Sequence, residues 1–181
     1  PLLNRNESEP RNYTGKGYKT EAKCSVNTNL VEFFDSYPSS QLDNNPLTRW
    51  AIYANTPLDA TIKQSLYPAL GEAMDGKSYP EAADILLDFV QTAFVYEYDD
   101  KVWGGDRPFF AEESLYYPYC DCEDRSILFS RLVRDLLKLD VILVYYPGHL
   151  ATAVKFNEPL KGDYIQIGVD KYLVCDPTYI G

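Results

Sequence analysis

The chain has one histidine and one methionine in 181 residues, and no apolar run approaching the roughly 20 residues that a bilayer span requires. Its longest such run, Val141-Ile142-Leu143-Val144-Tyr145-Tyr146, has the length and composition of a strand. Clusters of Lys or Arg are also lacking. With 17 basic against 27 acidic residues and a formal charge of −10, there is no electrostatic footprint for a phosphate backbone, so nucleic acid is not an expected partner. Cysteines number four, Cys24, Cys120, Cys122 and Cys175. If Cys122 is a reactive thiol, at most one intrachain disulfide can form among the other three, so the count does not decide the compartment. Two metal motifs are incomplete. Cys120, Cys122 and Cys175 with His149 would make a Cys3His set, but Cys-x-Cys is tighter than zinc spacing. Asp121, Glu123 and Asp124 lack the Asp-x-Asp-x-Asp-Gly calcium loop. No metal and no cofactor is expected.

The chain is 45% hydrophobic and long enough for one well-buried core. Pro1-Leu2-Leu3 is not an initiator start, and no charged n-region with an apolar h-region follows, so we expect a piece of a longer protein with other domains. Residues 1–28 are polar and aperiodic and are expected to be extended or poorly ordered. Leu30–Phe34 and Arg49–Ala54 are β-prone, so residues 1–55 read as an N-terminal extension or packing arm and 56–181 as the main domain. Helices are expected from near Thr56-Pro57-Leu58-Asp59 to about Ala73 and from Ser78-Tyr79-Pro80-Glu81 to about Ala93. Residues 95–121 have no sustained period but many aromatics, among them Tyr116, Tyr117 and Tyr119, which are candidates for a substrate cleft. The carboxylate pairs Asp99-Asp100 and Glu112-Glu113 have no defined separation for glycosidase chemistry and are expected to be solvated. From Cys122 to about Lys138, Leu128, Leu132 and Leu136 recur at i, i+4, i+8, the stripe of a helix buried against a sheet. Four strand-like runs follow, 141–146, 150–156, 164–169 and 171–175, with short connections that favour antiparallel pairing. The fold class is α+β.

The chemistry lies in this second half. Asp121 is a good N-cap, which places Cys122 among unpaired amides at the positive end of a helix, a position that favours a thiolate and can stabilise an oxyanion. His149 follows Pro147-Gly148 at the mouth of a strand, with Ala151 and Ala153 on its face leaving room for another side chain. Asp176 ends a strand and is kept extended by Pro177. His149 stands 27 residues after Cys122 and 27 before Asp176, spacings that fit a helix plus a strand and then a hairpin plus a strand. Nucleophile, base and orienter can therefore meet.

The segments Asp121-Cys122-Glu123-Asp124-Arg125-Ser126-Ile127-Leu128, Tyr146-Pro147-Gly148-His149-Leu150-Ala151-Thr152-Ala153-Val154 and Asp176-Pro177-Thr178 resemble the bacterial transglutaminase-like superfamily. The likeness is to its Asp-Cys-Glu-Asp branch of cysteine peptidases, and Asp88–Tyr96 and Phe109–Leu115 resemble the segments that precede the cysteine there. The resemblance implies a papain-like core, a catalytic helix packed on an antiparallel sheet, with Cys122 as nucleophile, His149 as base and Asp176 as orienter. It also implies an acyl-enzyme intermediate formed on a peptide or protein amide. Gln91 or Trp103 would supply a further oxyanion donor, their plainer roles being a structural bridge and a cleft wall. Many transglutaminases have Trp after the nucleophile, whereas Glu123 follows here, which favours hydrolysis over transfer to an amine. The alternatives are such a transfer, or a domain that binds or scaffolds without catalysis. The composition suits the bacterial periplasm or cell surface.

Overall fold

A computed structural model describes residues 6–37 and 45–179. The chain opens with a hairpin, β1 (Arg11–Gly15) and β2 (Thr20–Cys24), whose residues alternate between buried and exposed as a two-residue period demands. Tyr13, Ala22 and Cys24 enter the core, so this polar segment carries packing as well as extended backbone. The Gly17 and Tyr18 amides donate to the Asp88 carboxylate, and a Cβ at Gly17 would come within 2.5 Å of it. A side chain there would push the Asp88 carboxylate aside.

The two runs expected as strands are helices. In α1 (Thr28–Asp35) the side chain of Asn27 accepts from the Asn29 amide, and in α2 (Pro46–Asn55) Asn45 caps with Pro46 in the first turn. Val31 and Phe34, and Trp50, Tyr53 and Ala54, then fall at the i, i+3, i+4 spacing of one buried helical face. Phe110 lies between Phe34 and Tyr53, with ring centroids 4.1 and 3.8 Å away. The next helix, α3 (Ala60–Ala73), is capped by Asp59, the last residue of the expected start, whose carboxylate accepts from the Thr61 amide at 2.8 Å. It buries Ile62, Leu66 and Leu70, and packs on β2. The expected Ser78 start of α4 (Tyr79–Thr92) is present as a full capping box with Glu81.

The aromatic stretch holds more structure than its sequence suggests: β3 (Val95–Tyr96), α5 (Asp99–Val102), α6 (Ala111–Tyr116) and β4 (Tyr119–Cys120), with β3 and β4 parallel. Its acidic pairs are not solvated, apart from Asp100. Asp99 accepts from the Arg107 amide at 2.6 Å, Glu112 from the Asp59 amide, and Glu113 from the Phe110 amide at 2.9 Å. Arg11 reaches across from β1 and donates to the carbonyls of Leu115, Tyr116 and Tyr117 at 3.2, 2.6 and 2.7 Å, closing the C-terminal end of α6.

At the centre is α7 (Cys122–Leu132), which widens into a π-helical turn over Val133–Leu137 and ends at Lys138 in the left-handed region, φ 58°. It is buried nearly all round, against α2, α4, α6 and the sheet. The sheet comprises β5 (Val141–Tyr146), β6 (His149–Val154), β7 (Tyr164–Ile167) and β8 (Asp170–Cys175), in the order β5-β6-β8-β7 and antiparallel throughout. One buried cluster runs from Tyr13 in β1 to Cys175 in β8. The fold is α+β. No helix among the described residues is long and apolar enough to cross a membrane.

Candidate active site

The site forms where β4 gives way to α7. Asp121 accepts from the Glu123 amide at 3.2 Å, and Asp124 returns the contact by accepting from the Asp121 amide at 3.1 Å. The other oxygen of Asp124 takes the Phe109 amide at 2.7 Å, so the preceding segment is pinned to the first turn. This box fixes Cys122 at the first helical position, at the positive end of the helix. Arg125 pairs with none of these carboxylates among the described residues. Its guanidinium turns toward α4 and donates to the carbonyls of Gln91 and Phe94 at 2.9 and 3.0 Å.

The sulfur of Cys122 faces β6. It is hydrogen-bonded by the Leu150 amide, and one turn later Ser126 Oγ donates to the Leu150 carbonyl at 2.9 Å. The β6–β8 ladder begins only at Thr152, so α7 satisfies the polar groups of Leu150 that β8 does not reach. Leu150 directly follows His149, which brings thiol and imidazole to the same end of β6.

His149 Nε2 lies 2.7 Å from Asp176 Oδ2. The second oxygen of Asp176 accepts from the amide and hydroxyl of Thr178 at 2.9 and 2.6 Å. Burial pushes the Asp176 carboxyl up, but the Thr178 hydroxyl and amide and the imidazole outweigh it and hold the group below its ordinary range. An ionised carboxylate on Nε2 selects the tautomer protonated there, which leaves Nδ1 as the base. Tyr146 stacks beside the imidazole with centroids 6.4 Å apart.

The Cys122 thiol is bonded elsewhere. Cys122 Sγ lies 3.3 Å from Glu123 Oε2, and among the described residues no hydrogen bond joins it to His149. Burial pushes the thiol up to about 12; the Leu150 amide opposes this, and the Asp121 and Glu123 carboxylates add to it. Glu123 is itself pushed up, chiefly by burial, with Asp106 and Asp99 adding and Cys122 and Arg49 opposing. On the other side, Tyr96 is pushed up by burial and then by Cys122 and Asp121, which places its phenol near the thiol. Asp121, Cys122 and Glu123 bring three ligand-type atoms within 4.8 Å of one another. That is fewer donors than the four of a zinc site or the six or more of a calcium site.

The remaining candidates are placed as follows. Gln91 Nε2 donates to the carbonyls of Asp176 and Tyr179 at 2.8 and 2.7 Å, which commits both its N–H groups to a structural bridge. Trp103 and Tyr117 close around Arg107, whose guanidinium carbon is 4.1 and 4.8 Å from their ring centroids. Tyr116 packs against Tyr117, and Tyr119 on β4 is exposed. Cys24, Cys120 and Cys175 are free and buried. The sequence singles out Glu123 only as the residue that stands where many transglutaminases have Trp, and gives Thr178 no part; the Thr two residues after Asp is a recognisable turn signal, whereas nothing in the sequence aims Glu123 at the sulfur.

Comparison with protein-family models, with curated proteins and with solved structures finds no match to the chain.

Proposed function

We propose that the protein is a cysteine-dependent amide hydrolase acting on a peptide or protein, with Cys122, His149 and Asp176 as its triad on a papain-like, transglutaminase-like core. The observation that carries this is the half-buried 2.7 Å His149–Asp176 contact, at the strand end where the Leu150 amide bonds the helix-start thiol. His149 Nδ1 takes the thiol proton as Sγ attacks the carbonyl carbon. The Asp121 box occupies the amides of Glu123 and Asp124, so the Cys122 amide is the first-turn donor left for the oxyanion. The C–N bond then breaks as the imidazolium returns its proton to the departing amine. Water, deprotonated by His149, opens the thioester and releases the acid. The test is hydrolysis of a quenched-fluorescence peptide library by wild type and Cys122→Ala. Cleavage lost in the variant supports the reading, and cleavage retained at the wild-type rate overturns it.

A second reading, a domain of this fold that binds without catalysis, is favoured by the elevated thiol and its bond to Glu123 instead of His149. It predicts no cleavage of any library member by either protein.

A further inference from the structure

We propose that Gln91, in the last turn of α4, is a positioning residue that holds the Asp176 loop in register with the nucleophile helix. This rests on the triad reading above. The ladder between β6 and β8 stops at Thr152 and Cys175, so strand pairing does not extend to Asp176. Its carboxylate is set relative to its own turn by Thr178, but a turn that drifts carries its carboxylate with it. The Gln91 amide spans that turn, with one N–H on the Asp176 carbonyl at 2.8 Å and the other on the Tyr179 carbonyl at 2.7 Å.

The same residue is bonded to the other half of the site. Its backbone carbonyl accepts from Arg125 Nη1 at 2.9 Å, and Arg125 Nη2 donates to Phe94 just beyond the end of α4 at 3.0 Å. Arg125 stands three residues after Cys122 on α7. Gln91 is thus tied through its backbone to the nucleophile helix and through its side chain to the orienter loop. Two hydrogen bonds from one planar amide to carbonyls three residues apart fix both distance and tilt, which a single bond would not. Removing them frees Asp176 to move by the fraction of an ångström that a 2.7 Å imidazole contact does not tolerate.

His149 is the chain's one histidine, so its imidazole N–H gives an unambiguous downfield proton resonance. We expect this resonance in the wild-type chain, slow to exchange, and its loss to exchange broadening in Gln91→Ala. Gln91→Glu keeps the shape but replaces both donors with an acceptor, and it carries the test if the alanine variant does not fold. In parallel, the factor by which His149→Ala slows iodoacetamide alkylation of Cys122 is measured with Gln91 and with each replacement. That factor falls by about tenfold or more without the amide. A folded Gln91 variant that keeps both the resonance and the factor overturns the proposal while leaving the triad intact. A wild-type chain that shows neither overturns the triad reading, and this inference with it.

Discussion

Replacing Glu123 by Gln is the perturbation whose effect on the Cys122 thiol can be worked most directly. The Glu123 carboxylate lies 3.3 Å from Cys122 Sγ, where it accepts the thiol proton and repels a thiolate. At that separation one unit charge opposes another by about 1.3 kcal/mol even at the dielectric constant of water, close to one pKa unit, and by more in a buried site. Gln removes the charge, keeps the shape, and offers an N–H to the thiolate. Burial, the largest cause of the rise to about 12, remains, so the thiol midpoint falls by roughly one unit or more without reaching that of a free cysteine. Below the midpoint the thiolate fraction then rises about tenfold, and a less basic thiolate is about threefold less nucleophilic, so alkylation accelerates roughly three- to fivefold. The assay is iodoacetamide labelling from pH 7 to 10, resolved by peptide mapping so that Cys24, Cys120 and Cys175 serve as internal references. A Cys122 labelling rate that is unchanged or slower across this range in the variant would refute the assignment of Glu123 as the group that holds the thiol proton.

Thr178→Val removes the hydroxyl donor at 2.6 Å from Asp176 while sparing the amide donor at 2.9 Å. A hydrogen bond to a charged group contributes about 1.5–3 kcal/mol, so His149-dependent activity should fall about tenfold or more and the melting temperature by several degrees; an unchanged kcat/KM counts against the role given to this turn. Buried carboxyls predict the pH dependence of stability. Burial is the first cause pushing Glu112 and Glu113 up to about 7, and Asp121 and Asp124 are raised in the same direction. Because the folded pKa values exceed the unfolded ones, the folded chain holds more protons, and the stability present below about pH 4 is lost as pH rises through about 7. Thermal melts should therefore give a higher midpoint at pH 5 than at pH 8, and the reverse order would show that these carboxyls are ionised in the fold.

The second half of the fold was legible because its signals are local. Asp121 caps α7 with a reciprocal partner three residues on, and the sheet is written in short apolar runs joined by Pro147-Gly148 and a polar hairpin. The first third was misread where two local signals conflict. Leu30–Phe34 and Arg49–Ala54 are rich in strand-forming side chains, but Asn27 and Asn45-Pro46 are helix starts, and burial at i, i+3, i+4 settles the matter for helix. Cys122, His149 and Asp176 were singled out by type and chain order, and the structure joins His149 to Asp176 while the Cys122 thiol bonds Glu123. Burial of Glu112 and Glu113 was not readable, since it depends on amides at Asp59 and Phe110 that only the folded chain brings to them. The same holds for Glu123 at the sulfur and for Gln91, whose partners lie 85 and 88 residues away.

Intact-protein mass spectrometry of the chain exposed to an activated acyl ester, with the adduct mapped by peptide, tests the triad most directly. The account predicts one acyl group on Cys122 that forms and is then hydrolysed in wild type. His149→Ala should acylate at least tenfold more slowly and hold the adduct once formed. Acylation at another residue, or identical time courses with and without the imidazole, would contradict it.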